Sequence, residues 1–306
     1  AVELGKKFVH NDMCYPAQIN VGEMLAHLES GAAKPDTACL GLAKNCIACR
    51  AGQYAGLARK ALDEAGYKDV RILTTGKDDK NIHPGFKAGT RFLLKMLVGL
   101  AVIDALEYMR RRVRPYELQT GNADAVFETE LARCTKAANR SLRRGLTALK
   151  RSVGAFNRIV LAEQTRKPRV GILGEILMNY HESANGHVER YFEAFGLEVV
   201  VPDMTEFFRR KNIVDRAMAD KSLHPRPRLL RLFATVKELA YGFVHRRVEK
   251  VLRDFAYYEP RSTVRDVVKH TQDVIDPSYL IGEGWLMPAE ILDMADHGVK
   301  SFVILN

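Results

Sequence analysis

Short runs of Val, Ile and Leu bounded by turn residues alternate along this chain with segments whose apolar positions recur every three to four residues. The runs predict buried strands near Lys7–His10, Thr37–Leu42, Val70–Thr74, Arg169–Leu173, Val199–Val201 and Ser301–Leu305. The longer period predicts helices over Ala17–Leu28, Gln53–Ala65, Asn185–Phe195 and Pro288–His297. Gly66 and Gly196 fall just past two of these helices, where a left-handed terminal residue costs least. Such alternation predicts an α/β fold of two Rossmann-like units, each a parallel sheet wrapped by helices.

Two stretches break the alternation. Phe86–Arg112 with Asp124–Arg151, and Pro227–Asp254 with Ser262–Thr271, are helical in period and carry no strand. They read as long helical insertions. The expected order is a first α/β unit over 1–85 and an insertion over 86–166. The second unit then begins over 167–202, is interrupted over 203–277 and resumes over 278–306. Pro168 in "EQTRKPRVG" ends a polar link at the boundary.

Composition narrows the class. The chain has 306 residues, 47% of them hydrophobic, which suits about two domains. Its longest apolar stretch, Met96–Ile103, falls well short of the ~20 residues needed to cross a bilayer. A cytoplasmic location with no membrane partner is expected. The opening "AVELGKKFVHNDMCYP" has no signal-peptide core, and its missing initiator Met points to excision from a longer chain. Five cysteines, an odd number at low density, argue against a secreted disulfide framework and toward metal or redox work. Against 37 acidic residues stand 47 basic ones, a net charge of +10 concentrated in "MRRRVRPY", "RSLRRGLTALKR" and "HRRVEKVLR". Those stretches suit either solvated helix faces or an anionic partner such as nucleic acid, a CoA phosphate or an acidic protein.

In open parallel sheets ligands gather outside the carboxyl ends of strands, so the turns there are the places to look for chemistry. Cys14 precedes Pro16, a residue favoured in a helix's first turn, and Cys46 and Cys49 precede the helix that begins around Gly52. Helix N-termini stabilise anions and so favour the thiolate, the form that binds metal. Three thiolates on one sheet edge would make a soft site suited to zinc, copper(I) or an iron–sulfur cluster. The Cys46–Cys49 spacing also fits a thioredoxin-like dithiol. Cys39, inside a strand, and Cys134, on a helix, read as structural. Glu175 directly follows a strand, and Glu283 sits in "YLIGEGWLMPAE" between Gly282 and Gly284, so both are candidates for lining a cleft. Gly171 and Gly174 do not make a dinucleotide fingerprint, and lone histidines such as His83 and His270 read as surface or core residues.

In order along the chain, "NDMCYPAQINVGEMLAHL", "CRAGQYAGLARKAL", "HPGFKAG", "RPYE", "PRVGILGEIL", "VVVPDMTEFF" and "IGEGWLMPAEI" resemble the 2-hydroxyacyl-CoA dehydratase superfamily, in the version associated with acyl-CoA dehydratase activases. The resemblance implies a Rossmann-like component holding a [4Fe–4S] or double-cubane cluster through cysteines. It also implies an ATP-dependent activase as partner, which injects a low-potential electron for reductive dehydration of a 2-hydroxyacyl-CoA. By position Cys14 matches the first cluster cysteine and Cys49 the second. Where relatives have a glycine run, this chain has Lys44-Asn45-Cys46-Ile47-Ala48, which makes Cys46 an added ligand, a substitute or a resolving thiol. Relatives also carry a strand and helix before the position of Ala1 and a further ligand in a segment beyond the position of Asn306. The resemblance thus implies a first unit lacking its first strand and helix, a truncated second unit and a cluster that is labile or absent here; a dimer is a further expectation. The competing readings are a dithiol protein without a cluster and, less favoured, a basic nucleic-acid-binding module.

Overall fold

A computed structural model describes residues 1–42, 49–74, 89–162, 165–271, 274–279 and 283–305. The chain divides into two compact units, Ala1–Gly89 and Thr90–Asn306. Both are mixed α/β with small parallel sheets, and helix predominates.

The first unit runs α1 (Val2–Phe8), α2 (Tyr15–Glu29), β1 (Cys39–Leu42), a 3₁₀ turn (Arg50–Gln53), α3 (Tyr54–Glu64) and β2 (Arg71–Thr74). β1 and β2 pair in parallel, from Cys39 opposite Arg71 to Leu42 opposite Thr74. Leu25, Ala61, Leu62 and Ile72 lie fully buried where α2 and α3 pack with the strands. Gly66 closes α3 at φ 86°, and the Tyr67 N–H reaches back to the Leu62 carbonyl at 2.7 Å, the bond that a left-handed terminal residue permits.

One predicted strand is a helix. Lys7 belongs to α1, and only Val9 leaves it in extended conformation. The cause is packing: a Cβ on Gly5 would meet the Gln18 carbonyl oxygen at 1.9 Å, and one on Gly22 the Ala1 carbonyl at 2.0 Å. Two glycines thus let α1 cross α2 backbone to backbone, with Gly5 and Val9 one helical turn apart on the buried side. Cys14 therefore follows a helix rather than a strand.

The second unit opens with α4 (Thr90–Val113), α5 (Asn122–Ala138) and α6 (Leu142–Phe156). The helical period over Asp124–Arg151 is broken at Arg140–Ser141, where the Ser141 hydroxyl accepts the Arg144 N–H at 3.2 Å and starts α6. Then follow β3 (Arg169–Gly174), α7 (Ile176–Tyr180), α8 (Val188–Ala194), β4 (Glu198–Val200), α9 (Met204–Asp220) and α10 (Pro227–Leu252). A short α11 (Val264–Val267), α12 (Leu286–Asp296) and β5 (Ser301–Leu305) complete the unit. Its sheet has the order β4-β3-β5, all parallel. The largest core lies among α4, α5, α6 and α10 around Met109, Leu149 and Phe156. Gly171 and Gly174 serve close packing: a Cβ on the first would meet Met294 and Phe302 at 2.9 Å, and one on the second the Leu305 carbonyl at 2.0 Å.

Candidate functional site

In the first unit two turns meet. Cys14 is the N-cap residue of α2, in extended conformation, with Pro16 in the helix's first turn. Cys49 occupies the same place before the 3₁₀ turn that leads into α3. Both side chains are half-buried. The Cys14 Sγ lies 3.0 Å from the Tyr54 hydroxyl, and the Arg50 Nη1 donates to the Asp12 carbonyl at 2.6 Å while touching the Met13 sulfur at 3.4 Å. Residues that flank one cysteine thus grip the turn that carries the other. Cys46 lies outside the described residues, as do Gly282 and His83. Among the described residues no group of three or more His, Cys, Asp or Glu side chains is gathered as a metal site. Cys14 and Cys49, both soft donors, each stand directly before a helix start.

The other two cysteines stand apart from this corner in character. Cys39 is the exposed first residue of β1. Cys134 is buried on α5, 3.3 Å from the Ser152 hydroxyl, which in turn donates to Glu130 at 2.7 Å. Burial pushes the Cys134 thiol up, away from the reactive form.

In the second unit Glu175 and Glu283 come within electrostatic reach of each other. Glu175 caps α7, its carboxylate accepting the Leu177 and Met178 N–H groups at 2.8 and 3.2 Å. Burial raises its pKa, the two cap bonds oppose the rise and the Glu283 charge adds to it. A third carboxyl joins them. Burial pushes Glu290 on α12 up to about 8, with Arg210 pulling the other way and Glu283 and Asp293 adding to the rise. Glu290 lines a cavity of about 170 Å³ between α12, the end of β4 and the 259–262 segment. Asp203 also lines it, tied to Arg261 at 2.6 Å. Behind Asp203 the Asp104 carboxylate accepts the Met204 and Thr205 N–H groups at 3.2 and 2.8 Å, tying α4 to the start of α9. Burial and the Asp203 charge push Asp104 up to about 7. Carboxyls that keep a proton near neutral pH can donate hydrogen bonds or act as general acids. The sequence reading did not single out Glu290 or Asp104. Asp104 had a visible signal, a lone acid inside an apolar helical run, whereas Glu290 in "MPAEIL" looks like any surface glutamate.

The stretch "MRRRVRPY" is neither a solvated face nor an open anion site. Arg110 and Arg114 are buried. Arg110 pairs with Glu107 at 2.9 Å and Glu182 at 3.1 Å, Arg111 with Glu189 at 2.9 Å, and Arg112 with Glu198 and Glu259. Arg114 holds Glu193 at 2.7 Å and Glu189 at 3.0 Å. Burial opposes ionisation of Glu189, but Arg111, Arg114 and Arg110 outweigh it and hold the carboxyl down at about 2. Glu193 moves the other way, because burial and the Glu189 charge exceed the pull of Arg114.

No family model matches the chain, and neither any curated protein nor any solved structure matches it. No helix among the described residues is long and apolar enough to cross a membrane.

Proposed function

We propose that the chain is the cluster-bearing, dehydratase-like segment of a 2-hydroxyacyl-CoA dehydratase system, built from Rossmann-like units and served by an ATP-dependent activase. Cys14 and Cys49, with Cys46 as a third thiol, are the ligands of its [4Fe–4S] or double-cubane cluster. The observation that carries this reading is the corner where two helix starts, each preceded by a cysteine, are tied together through Arg50 and Tyr54. The ordered motifs of the sequence add to it. When bound, such a cluster supplies low-potential electron transfer and Lewis acidity. The chain's own part is to hold the ligands. Arg50 fixes the turn before Cys14 through the Asp12 carbonyl, and the Tyr54 hydroxyl stands at hydrogen-bond distance from the Cys14 sulfur. Glu175 and Glu283 line the substrate cleft in this reading.

Anaerobic reconstitution with iron and sulfide, followed by metal analysis and visible absorption, tests it. The expected result is iron and sulfide bound by the parent chain and lost in the Cys14→Ser/Cys49→Ser double variant. Tyr54→Phe should keep the iron and lower the reduction potential, since hydrogen bonds to cluster sulfur raise it. Equal iron uptake by the double variant would remove the ligand assignment. A readily reduced Cys46–Cys49 disulfide in a chain that takes up no iron would favour the dithiol reading instead.

A further inference from the structure

The α5–α6 hairpin builds a groove walled by cations. Gly145 lies so close to α5 that a Cβ there would stand 3.2 Å from the Ala138 Cα, so at the turn end of the hairpin the two helices approach closely. Arg133, Lys136 and Arg140 on one side and Arg143, Arg144 and Arg151 on the other then surround one groove of about 450 Å³. The rest of its lining is Ala, Ser and Thr, with no acid and no aromatic ring. All six cationic side chains are exposed, and among the described residues only Arg133 has an ion-pair partner, Glu130 at 2.6 Å. α6, 15 residues long, has its N-cap Ser141 in this lining, so its N-terminal dipole adds to the positive field.

Crowding like charges costs energy unless a counterion of matching shape offsets it. The arginine run at the end of α4 is paired internally, whereas the hairpin gathers its cations around one groove whose lining holds no acid. The geometry points to a binding groove for a short polyphosphate, a ligand with several phosphate groups close together on one chain. Guanidinium groups bind such oxygens in pairs, and Arg outnumbers Lys here five to one. From Arg143 to Arg151 the helix advances on the order of 12 Å at 1.5 Å per residue, the span of a short phosphate chain. With no aromatic ring to stack on a base, the groove reads phosphate and not the nucleoside. Every residue involved belongs to Thr90–Asn306 and none is a proposed cluster ligand, so either reading can fail while the other stands.

Titration calorimetry of the full chain with inorganic triphosphate, at low and at high salt, tests the groove. Binding should weaken steeply as salt rises. Arg143→Gln/Arg144→Gln should weaken it at least about tenfold, the worth of one or two charge-assisted hydrogen bonds. Lys237→Gln/Lys250→Gln, which removes the same charge from exposed positions on α10, should change it less than about twofold. Circular dichroism melts confirm that both doubles fold. Equal weakening by the two doubles, or no triphosphate binding at low salt, overturns the site. A random-sequence DNA duplex that displaces triphosphate and binds more tightly per phosphate, with the same dependence on Arg143 and Arg144, would replace the short polyphosphate with a nucleic-acid backbone.

Discussion

The arginines at the end of α4 and those of the α5–α6 hairpin are near neighbours in sequence and alike in composition, yet they have opposite fates. Arg110, Arg111, Arg112 and Arg114 each meet glutamates from distant parts of the second unit, and the cluster is internally neutral enough to be buried. Arg140, Arg143, Arg144 and Arg151 meet no acid among the described residues and stay exposed. A basic run therefore says little about function until the acids across from it are known. Burying a guanidinium demands a partner, and a surface guanidinium without one is available to a ligand.

The sharpest way to break this contrast is to remove one partner from the buried side. Arg114→Met takes the guanidinium away from Glu193 in a desolvated site beside Glu189, which keeps Arg111, and should cost roughly 3–5 kcal/mol of unfolding free energy. Urea denaturation of parent and variant measures it. A loss below about 1 kcal/mol would mean that the pairs behave like exposed ones.

Acid provides the next largest effect. Because the Glu189 pKa is depressed in the folded chain, its contribution is present above the ordinary carboxylate value of 4.5 and is lost as pH falls toward about 2. The shift corresponds to about 2–3 kcal/mol after allowance for shared charge. Glu189→Gln should therefore show a flatter stability profile than the parent between pH 5 and 2, starting from a lower value. Parallel profiles would place the acid sensitivity elsewhere.

How far the sequence announced all this depends on the kind of force involved. Strands from Thr37 onward were legible because short apolar runs between turn residues have few other uses. "KFVH" looked the same over four residues, but the deciding contacts are those of Gly5 and Gly22 with backbone groups in the partner helix. The place of Cys14 at a helix start survived that error, since Pro16 signals the first turn whatever precedes it. Pairing of charges was not legible at all. Arg114 and Glu189 are 75 positions apart, and nothing local in either segment marks the partner. Glu175 and Glu283, named from their turns, are not among the residues lining the cavity of about 170 Å³, whereas Glu290, which lines it, has no local mark in the sequence.

Glu290 extends the comparison to the acid side, a carboxyl whose facing cation does not outweigh its burial. Its raised pKa means that the folded chain favours the protonated form. Stability tied to it is fully present below pH 4.5 and is lost as pH rises through about 8. Between pH 6 and 9 the parent should lose about 2 kcal/mol relative to Glu290→Gln, which carries no titrating group there. Urea midpoints of the two chains at both pH values give the difference. A constant difference would show that Arg210 compensates Glu290 fully.

The smallest expected effect is the most telling for the groove. If Arg143 and Arg144 took part in an internal network as Arg114 does, replacing both with Gln would cost several kcal/mol. Their exposure, and the absence of an acid in the groove lining, lead instead to a change within about 0.5 kcal/mol, slightly stabilising at low salt because repulsion among the remaining cations falls. Denaturation of Arg143→Gln/Arg144→Gln at low and at high salt reads both the size and the sign. A gain that disappears at high salt fits a groove held open to anions, whereas a loss above about 1 kcal/mol would mean that the hairpin arginines, too, are structural.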